Sequence, residues 1–398
     1  MKTVLDFTAP RQADAARLQH GFGVPEKVLQ AHSPEEVPAI LEAVQRAAEQ
    51  GQWCVGWLAY EAASAFDGAY AQTVHSAVPG QPLAWFGVHA APLTAQAAPK
   101  PQPKPRPTPP VQWQTALSRE QFDAHIARIH AAIAAGECYQ INYTAPLSAK
   151  LAGAASLNSS ALAEGLFARL QQAQPGGYAA LVDSGDMQVL SVSPELFFDW
   201  DGEQILTRPM KGTAARGQTP EADVLAAQTM RESVKERAEN VMIVDLLRND
   251  LSRIAEPHSV KVPQLFQVQA LPAVWQMTSD VVARTRAGVR LVDVFGALFP
   301  CGSITGAPKR QAMRLIRELE SQPRGVYCGA LGVVRPGAVA GRIHATFNVP
   351  IRTVVLQAGQ LSCGIGSGIT ASANAGDEWM EWQHKQVFLR GLEEAGQG

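Results

Sequence analysis

Residues 99–110 read PKPQPKPRPTPP, with proline at nearly every second position. Proline lacks a backbone N–H and holds φ near about −65°, so neither a helix nor an interior strand passes through such a stretch. Polyproline II is its natural conformation. The tract therefore divides the chain into an N-terminal region (1–98), a linker (99–112) and a C-terminal region (113–398). A stiff spacer is favoured over a ligand for a proline-binding module. No internal repeat of fixed period accompanies it.

Beyond the tract, Ser118 and Gln121 have the spacing of a capping box. Phe122, Ile126, Ile129 and Ile133 follow at helical spacing, and Gly136 stands where a helix stops. Thr219-Pro220 predicts the start of a second helix reaching about Leu247. A third is expected from Pro308, and a fourth over roughly 377–394. Residues 187–200, MQVLSVSPELFFDW, are rich in strand formers. Residues 343–355 alternate as one strand, with Ile343, Ala345, Phe347, Val349, Ile351 and Thr353 on one face. His344, Thr346, Asn348 and Arg352 take the other face. Strand blocks mixed irregularly with helices predict an α+β fold, not a βαβ series.

The 398 residues are 46% apolar and 18% charged, which excludes a chain disordered throughout. The 34 basic and 36 acidic residues leave a charge of −2, without the basic excess of a nucleic-acid binder. No apolar run approaches the ~18 residues of a membrane helix. The opening MKTVLDFTAP lacks the character of a signal peptide. Cys54, Cys138, Cys301, Cys328 and Cys363 are scattered, with no C-x-x-C pair. A reducing, cytoplasmic setting is expected.

Several clusters could carry chemistry. Glu236 and Glu239, and again Glu378 and Glu381, sit three apart, which places each pair on one helix face. A divalent cation would relieve their repulsion, although on spacing alone two solvated faces are the favoured reading. Phe299–Lys309, FPCGSITGAPK, is a small-residue turn entering a helix, either an anion site or simply a tight entry. It lacks the P-loop spacing. Gly364–Gly368, GIGSG, could also approach an anion closely. Lys211, held in RPMKGT, is a candidate nucleophile or a surface turn residue. Arg352 could fork onto a carboxylate.

Taken in order, these segments resemble the chorismate-utilising enzymes. The motifs are GECYQINYT (136–144), SPELFF (193–198), RPMKGTAARG (208–217), ERAENVMIVDLLRNDL (236–251), GSITGAPK (302–309), YCGALG (327–332), NVPIRT (348–353) and GIGSGIT (364–370). GWLAYEA (56–62) is a looser match in the N-terminal region. The resemblance implies an anthranilate synthase component I-like fold, a β-rich core flanked by helices. It implies Mg²⁺ held principally by Glu239 and Glu381, with Glu236 and Glu378 in support. Arg352 and Lys385 would bind substrate carboxylates. Ser303, Thr305, Gly306, Gly366 and Gly368 would bind other anionic groups, and Gln140, Thr213 and Tyr327 would also line the substrate.

Two positions separate members of this family. Aminodeoxychorismate synthases carry a lysine where anthranilate synthases carry alanine, and here it is Lys211. Isochorismate and salicylate synthases carry a lysine where aminating enzymes carry glutamine, and here it is Gln140. The resemblance thus implies aminodeoxychorismate synthase component I, with anthranilate synthase component I or a non-catalytic scaffold as alternatives. Lys211 would attack ring C2 as the C4 hydroxyl leaves, protonated by Glu195. Ammonia would then add at C4 and expel the lysine. No glutaminase signature is present, so a separate glutamine amidotransferase subunit is the implied source of ammonia. The chain ends at Gly398, so no lyase domain is expected. Departures from the family pattern are Gln276 in place of a histidine and Ser372-Ala373 in place of Asp-Ser.

Overall fold

The computed structural model describes residues 2–11, 17–93, 110–151, 159–270 and 274–393, apart from the side chain of Thr213. The expected linker lies outside the described residues from 99 to 109. First in the chain come β1 (Thr3–Phe7), β2 (Leu18–Phe22), β3 (Lys27–Ala31), α1 (Val37–Glu49), β4 (Trp53–Leu58) and β5 (Ala84–His89). Next are β6 (Gln114–Thr115), α2 (Arg119–Ala134), β7 (Gln140–Lys150), α3 (Ser159–Ala173), β8 (Tyr178–Asp183), β9 (Met187–Ser193) and β10 (Leu196–Trp200). Then follow β11 (Gln204–Arg208), β12 (Met210–Ala215), α4 (Pro220–Glu232), α5 (Val234–Ser252), β13 (Lys261–Ala270) and β14 (Val274–Arg284). The chain continues through α6 (Leu291–Leu298), β15 (Gly306–Ala307), α7 (Lys309–Leu319), β16 (Ala330–Pro336) and β17 (Ile343–Asn348). Last are β18 (Thr353–Gln357), β19 (Gln360–Thr370), α8 (Ala375–Lys385) and α9 (Val387–Glu393).

Among the described residues the strands form two antiparallel sheets. One runs β15-β7-β19-β18-β9-β8-β1-β2, with β6 also on β7. The other runs β12-β14-β11-β10-β17-β16-β4-β5-β3, with β13 also on β14. They stack face to face and each carries helices on its outer side, giving four layers. Strand alternation explains this: Val55 and Trp57 of β4 enter the layer between the sheets, while Cys54 and Leu58 face the helices. Trp57 stacks on Trp85 of β5 at 5.0 Å between ring centres. The helices α1, α5 and α6 cover the second sheet, and α2, α3, α7, α8 and α9 cover the first. The expected α+β class with a β-rich core therefore holds.

Capping chemistry sets the helix starts. Ser118 and Gln121 form the expected capping box of α2, and Gly136 beyond its end takes φ +75°. Thr219 caps α4 by accepting from the N–H of Ala222 at 3.2 Å. The helix expected over 219–247 is instead two. Ser233 adopts an extended conformation and accepts from the N–H of Glu236, closing α4 and opening α5. The segment 377–394 is likewise split at Gln386.

The single strand expected over 343–355 is also two, and they lie in different sheets. Proline 350 has no N–H for a ladder, and Arg352 takes φ +51°, so the chain crosses between sheets there. Alternation continued across the crossing by coincidence, and Arg352 does not project from a strand face.

Strands β1 and β2 end one sheet, and β4, β5 and β3 end the other, all at the same end of the sandwich. Removing residues 1–98 would strip partners from β8 and β16, whose residues are almost all buried. Such apolar edges invite aggregation. Expressed alone, residues 113–398 are expected to be insoluble or to lack a cooperative thermal transition, and co-expression with 1–98 should restore one. A soluble fragment with a sharp transition would show that the C-terminal strands need no such partners.

Candidate active site

The other end of the sandwich gathers most of the chemistry-bearing residues. There β7 and β19 pair along eleven registered positions, from Gln360↔Lys150 to Thr370↔Gln140. Facing them is β12, the terminal strand of the second sheet. Helix α5 packs on β12, and α8 on β19. The turn Gly302–Thr305, with β15 after it, closes the site from the side of β7.

Lys211 of β12 points across to β19. A Cβ on Gly368 would lie 2.8 Å from Lys211 Nζ and 2.4 Å from Gln140 Nε2, so only glycine leaves room for both groups. Gln140 is fully buried, and neither atom of its carboxamide has a hydrogen-bond partner. A buried amide left with both functions open is poised for a ligand. Burial lowers the Lys211 pKa and Lys385 adds to this, while Glu239, Glu195 and Glu381 oppose it.

Glu195 lies in the link between β9 and β10, fixed by its backbone C=O, which accepts from Val349 N–H at 3.1 Å. Its carboxyl is buried, interacts with Ser303, and has Oε1 unpartnered. Burial pushes its pKa up to about 7.

Four glutamates face the site from two helices. Glu236 and Glu239 occupy the first turns of α5, and Glu378 and Glu381 lie on α8. Burial first, and neighbouring carboxylates after it, raise Glu236, Glu239 and Glu378. Burial also pushes Glu381 upward, but Lys385 beside it prevails and leaves its pKa lowered. Lys385 Nζ sits 2.7 Å from Glu381 and donates to Gly366 O at 2.9 Å. Ser367 Oγ donates to Glu378 at 2.5 Å and itself accepts from Trp382 Nε1 at 2.9 Å.

Among the described residues no three acidic, imidazole or thiol side chains form a ready metal cluster. This does not conflict with Mg²⁺, which takes one or two carboxylates and keeps several waters. An all-carboxylate donor set, strained by its own like charges, fits that ion.

The remaining expected site residues fall in different places. Thr305 spends its hydroxyl on Cys301 O at 3.1 Å, inside its own turn. Gly306 pairs with Ile141 of β7. Tyr327 packs its ring against Gly364 of β19. Thr213 lies on β12, with its side chain outside the described residues. Arg352 turns toward the end of α3, where its Nη1 donates to Gln174 at 2.5 Å. Burial lowers its pKa to about 10.

Sequence reasoning missed the buried supports. Arg324 donates to Ile304 O and to Asn142 O, each at 2.8 Å, and thereby ties the turn to β7. Lys309 donates to Asp250 at 2.7 Å, pinning the start of α7 to α5. Lys309 stood in a quoted motif, whereas Arg324 offered no periodic or spacing signal.

The comparisons agree with this architecture. A family model described as chorismate binding enzyme matches residues 11–390. Aminodeoxychorismate synthase component 1 of Salmonella typhimurium is 39% identical over 269 residues, 68% of this chain and 56% of that protein. Anthranilate synthase component 1 of Streptomyces coelicolor is 36% identical over 274 residues, 69% of this chain and 51% of that protein. The chain thus matches only about half the length of these relatives. The crystal structure of anthranilate synthase component I from Streptococcus pneumoniae superposes with a TM-score of 0.73 at 22% identity, covering 98% of this chain and 90% of that one. At that identity the superposition speaks for the fold. The family match spans nearly the whole chain, and the chain belongs to the chorismate-binding enzymes.

Proposed function

We propose that this chain acts as the chorismate-converting component of aminodeoxychorismate synthase, making 4-amino-4-deoxychorismate from chorismate and ammonia for 4-aminobenzoate and folate synthesis. The observation that carries the reading is Lys211, a half-buried lysine whose amine is set beside Gly368 and the open carboxamide of Gln140. Mg²⁺ would be held by Glu239 and Glu381, with Glu236 and Glu378 in support, and would neutralise a substrate carboxylate. Lys385 contributes a cation beside it. Neutral Lys211 attacks ring C2, the double bond shifts, and the C4 hydroxyl departs as water with a proton from Glu195. Ammonia adds at C4, the double bond shifts back as the Lys211–C2 bond breaks to return the amine, and the new ammonium gives one proton back to Glu195. The net change exchanges hydroxyl for amino and keeps the enolpyruvyl group.

Ammonium dominates at neutral pH, so we infer a glutaminase subunit as partner, in a heterodimer that delivers ammonia. We also infer a cytoplasmic setting. It is supported by five free, buried thiols and by the absence, among the described residues, of a helix long and apolar enough to cross a membrane.

Incubating the full chain with chorismate, ammonium salt and Mg²⁺ should give 4-amino-4-deoxychorismate without pyruvate, as read by mass spectrometry. Anthranilate plus pyruvate would overturn the assignment and move the chain to the alternative activity. Lys211→Ala should abolish the product, and full rate in that variant would remove the covalent role.

The acid Glu195 works only while protonated, and burial holds its pKa up to about 7. Activity should therefore fall as pH rises through about 7. Lys211 works only when neutral, so activity should fall toward acid, with that limb displaced below the ordinary lysine range. A pH–kcat/KM profile with no fall near pH 7 would contradict the role of Glu195.

Ser367 orients Glu378, so Ser367→Ala should raise the Mg²⁺ concentration for half-maximal rate by about tenfold. An unchanged Mg²⁺ titration would remove Glu378 from the metal's surroundings.

A further inference from the structure

The pairing of β12 with β14 slips at one point. Lys211 faces Met277 and Thr213 faces Gln276, with a register shift at Gly212 between them. Such a bulge leaves one residue outside the regular ladder, and its carbonyl needs another partner. Here the partner is a side chain: Gln276 Nε2 donates to Gly212 O at 2.7 Å. Gln276 itself is only 4% exposed.

Gly212 is held from its other side too. It takes φ +77°, and a Cβ there would stand 2.6 Å from Glu236 Oε2. The position thus demands glycine, and glycine alone would let the following peptide rotate freely. The Gln276 hydrogen bond removes that freedom, because fixing the Gly212 carbonyl fixes the rotation about its Cα–C bond. Gly212 directly follows Lys211, so the lock acts on the residue next to the lysine.

We propose that Gln276 is a positioning residue for Lys211: its carboxamide locks the Gly212 peptide and so aims the lysine amine toward Gly368 and Gln140. An amide suits the task because it donates at every pH and adds no charge between Lys211 and Glu236. The inference rests on the reacting role proposed for Lys211.

The test compares Gln276→Met, which keeps the length but cannot donate, with Gln276→His, whose ring N–H can. All measurements use the full chain with chorismate, Mg²⁺ and ammonium salt. Gln276→Met should lose about 10- to 100-fold in kcat, the scale of a displaced reacting group, with KM for chorismate within about twofold. Gln276→His should recover most of that loss. A purely structural role would lower the thermal midpoint of both variants and leave kcat at permissive temperature unchanged.

Lys211→Ala is measured alongside. If it keeps full rate, the role of Lys211 falls, and the aim of its amine has no catalytic meaning. If it is inactive while Gln276→Met keeps its kcat, the role of Lys211 stands and the positioning by Gln276 is overturned. Should the Met variant fail to fold, Gln276→Asn replaces it: its shorter amide cannot span the bulge, and kcat at least about tenfold below Gln276→His is expected. Equal rates in that pair would overturn the proposal.

Discussion

The guanidinium of Arg324 is the contact on which the shape of the site depends. It is buried with Glu320, four residues earlier, at 2.7 Å. Its remaining donors reach Ile304 O in the turn and Asn142 O in β7, so one rigid fork spaces two walls. Glu320 also accepts from the N–H and hydroxyl of Thr144, each at 2.9 Å. Glu61, far upstream, accepts from the N–H groups of Arg324 and Gly325 at 2.7 and 3.1 Å. Buried charge is tolerated only when so fully partnered, and removing one member typically costs about 3–5 kcal/mol. This explains why the N-terminal GWLAYEA segment belongs with the site: it supplies a carboxylate to the clamp and the end of β4 to the second sheet.

The site itself shows the reverse economy. Its carboxylates are gathered on α5 and α8 with fewer partners than charges, and burial raises three of the four. Gln140 and Glu195 keep polar atoms open. Packing alone would not select this arrangement, since every such group costs free energy when nothing is bound. The supports around it, Arg324 and the Lys309–Asp250 pair, are by contrast satisfied. Polar groups left open beside paired supports are the pattern expected where a ligand completes the structure.

What the residues disclosed in advance follows the range of the interactions concerned. Local chemistry was legible: the Ser118 box, the Thr219 cap and the Pro308 entry each act within a few residues. Spacing showed the glutamates only as two pairs, and it was the family resemblance that joined them, because α5 and α8 lie far apart in sequence. The strand 343–355 misled because alternation reports burial on two faces and not which sheet provides it. Two short strands in different sheets kept the same phase across Pro350. Arg352 was assigned a face on that basis, and its positive φ turns it to Gln174 instead. Arg324 was silent because its role comes from three distant segments meeting.

Burial acts against a conflict inherent in the proposed chemistry. A lysine that attacks must be neutral, and a carboxyl that protonates a leaving group must hold its proton. Placed together in water they would form an ion pair useless for either task. Here Glu239, Glu195 and Glu381 favour the ammonium form of Lys211, yet desolvation, aided by Lys385, is larger and carries the pKa down. The same desolvation carries Glu195 up to about 7, against the pull of Ser303 and Lys211. One cause thus moves base and acid toward each other from opposite ends of the scale. A divalent cation among the glutamates would cancel the very charges that hold the proton on Lys211. Metal and reactive amine would then be coupled through the field of Glu239 and Glu381.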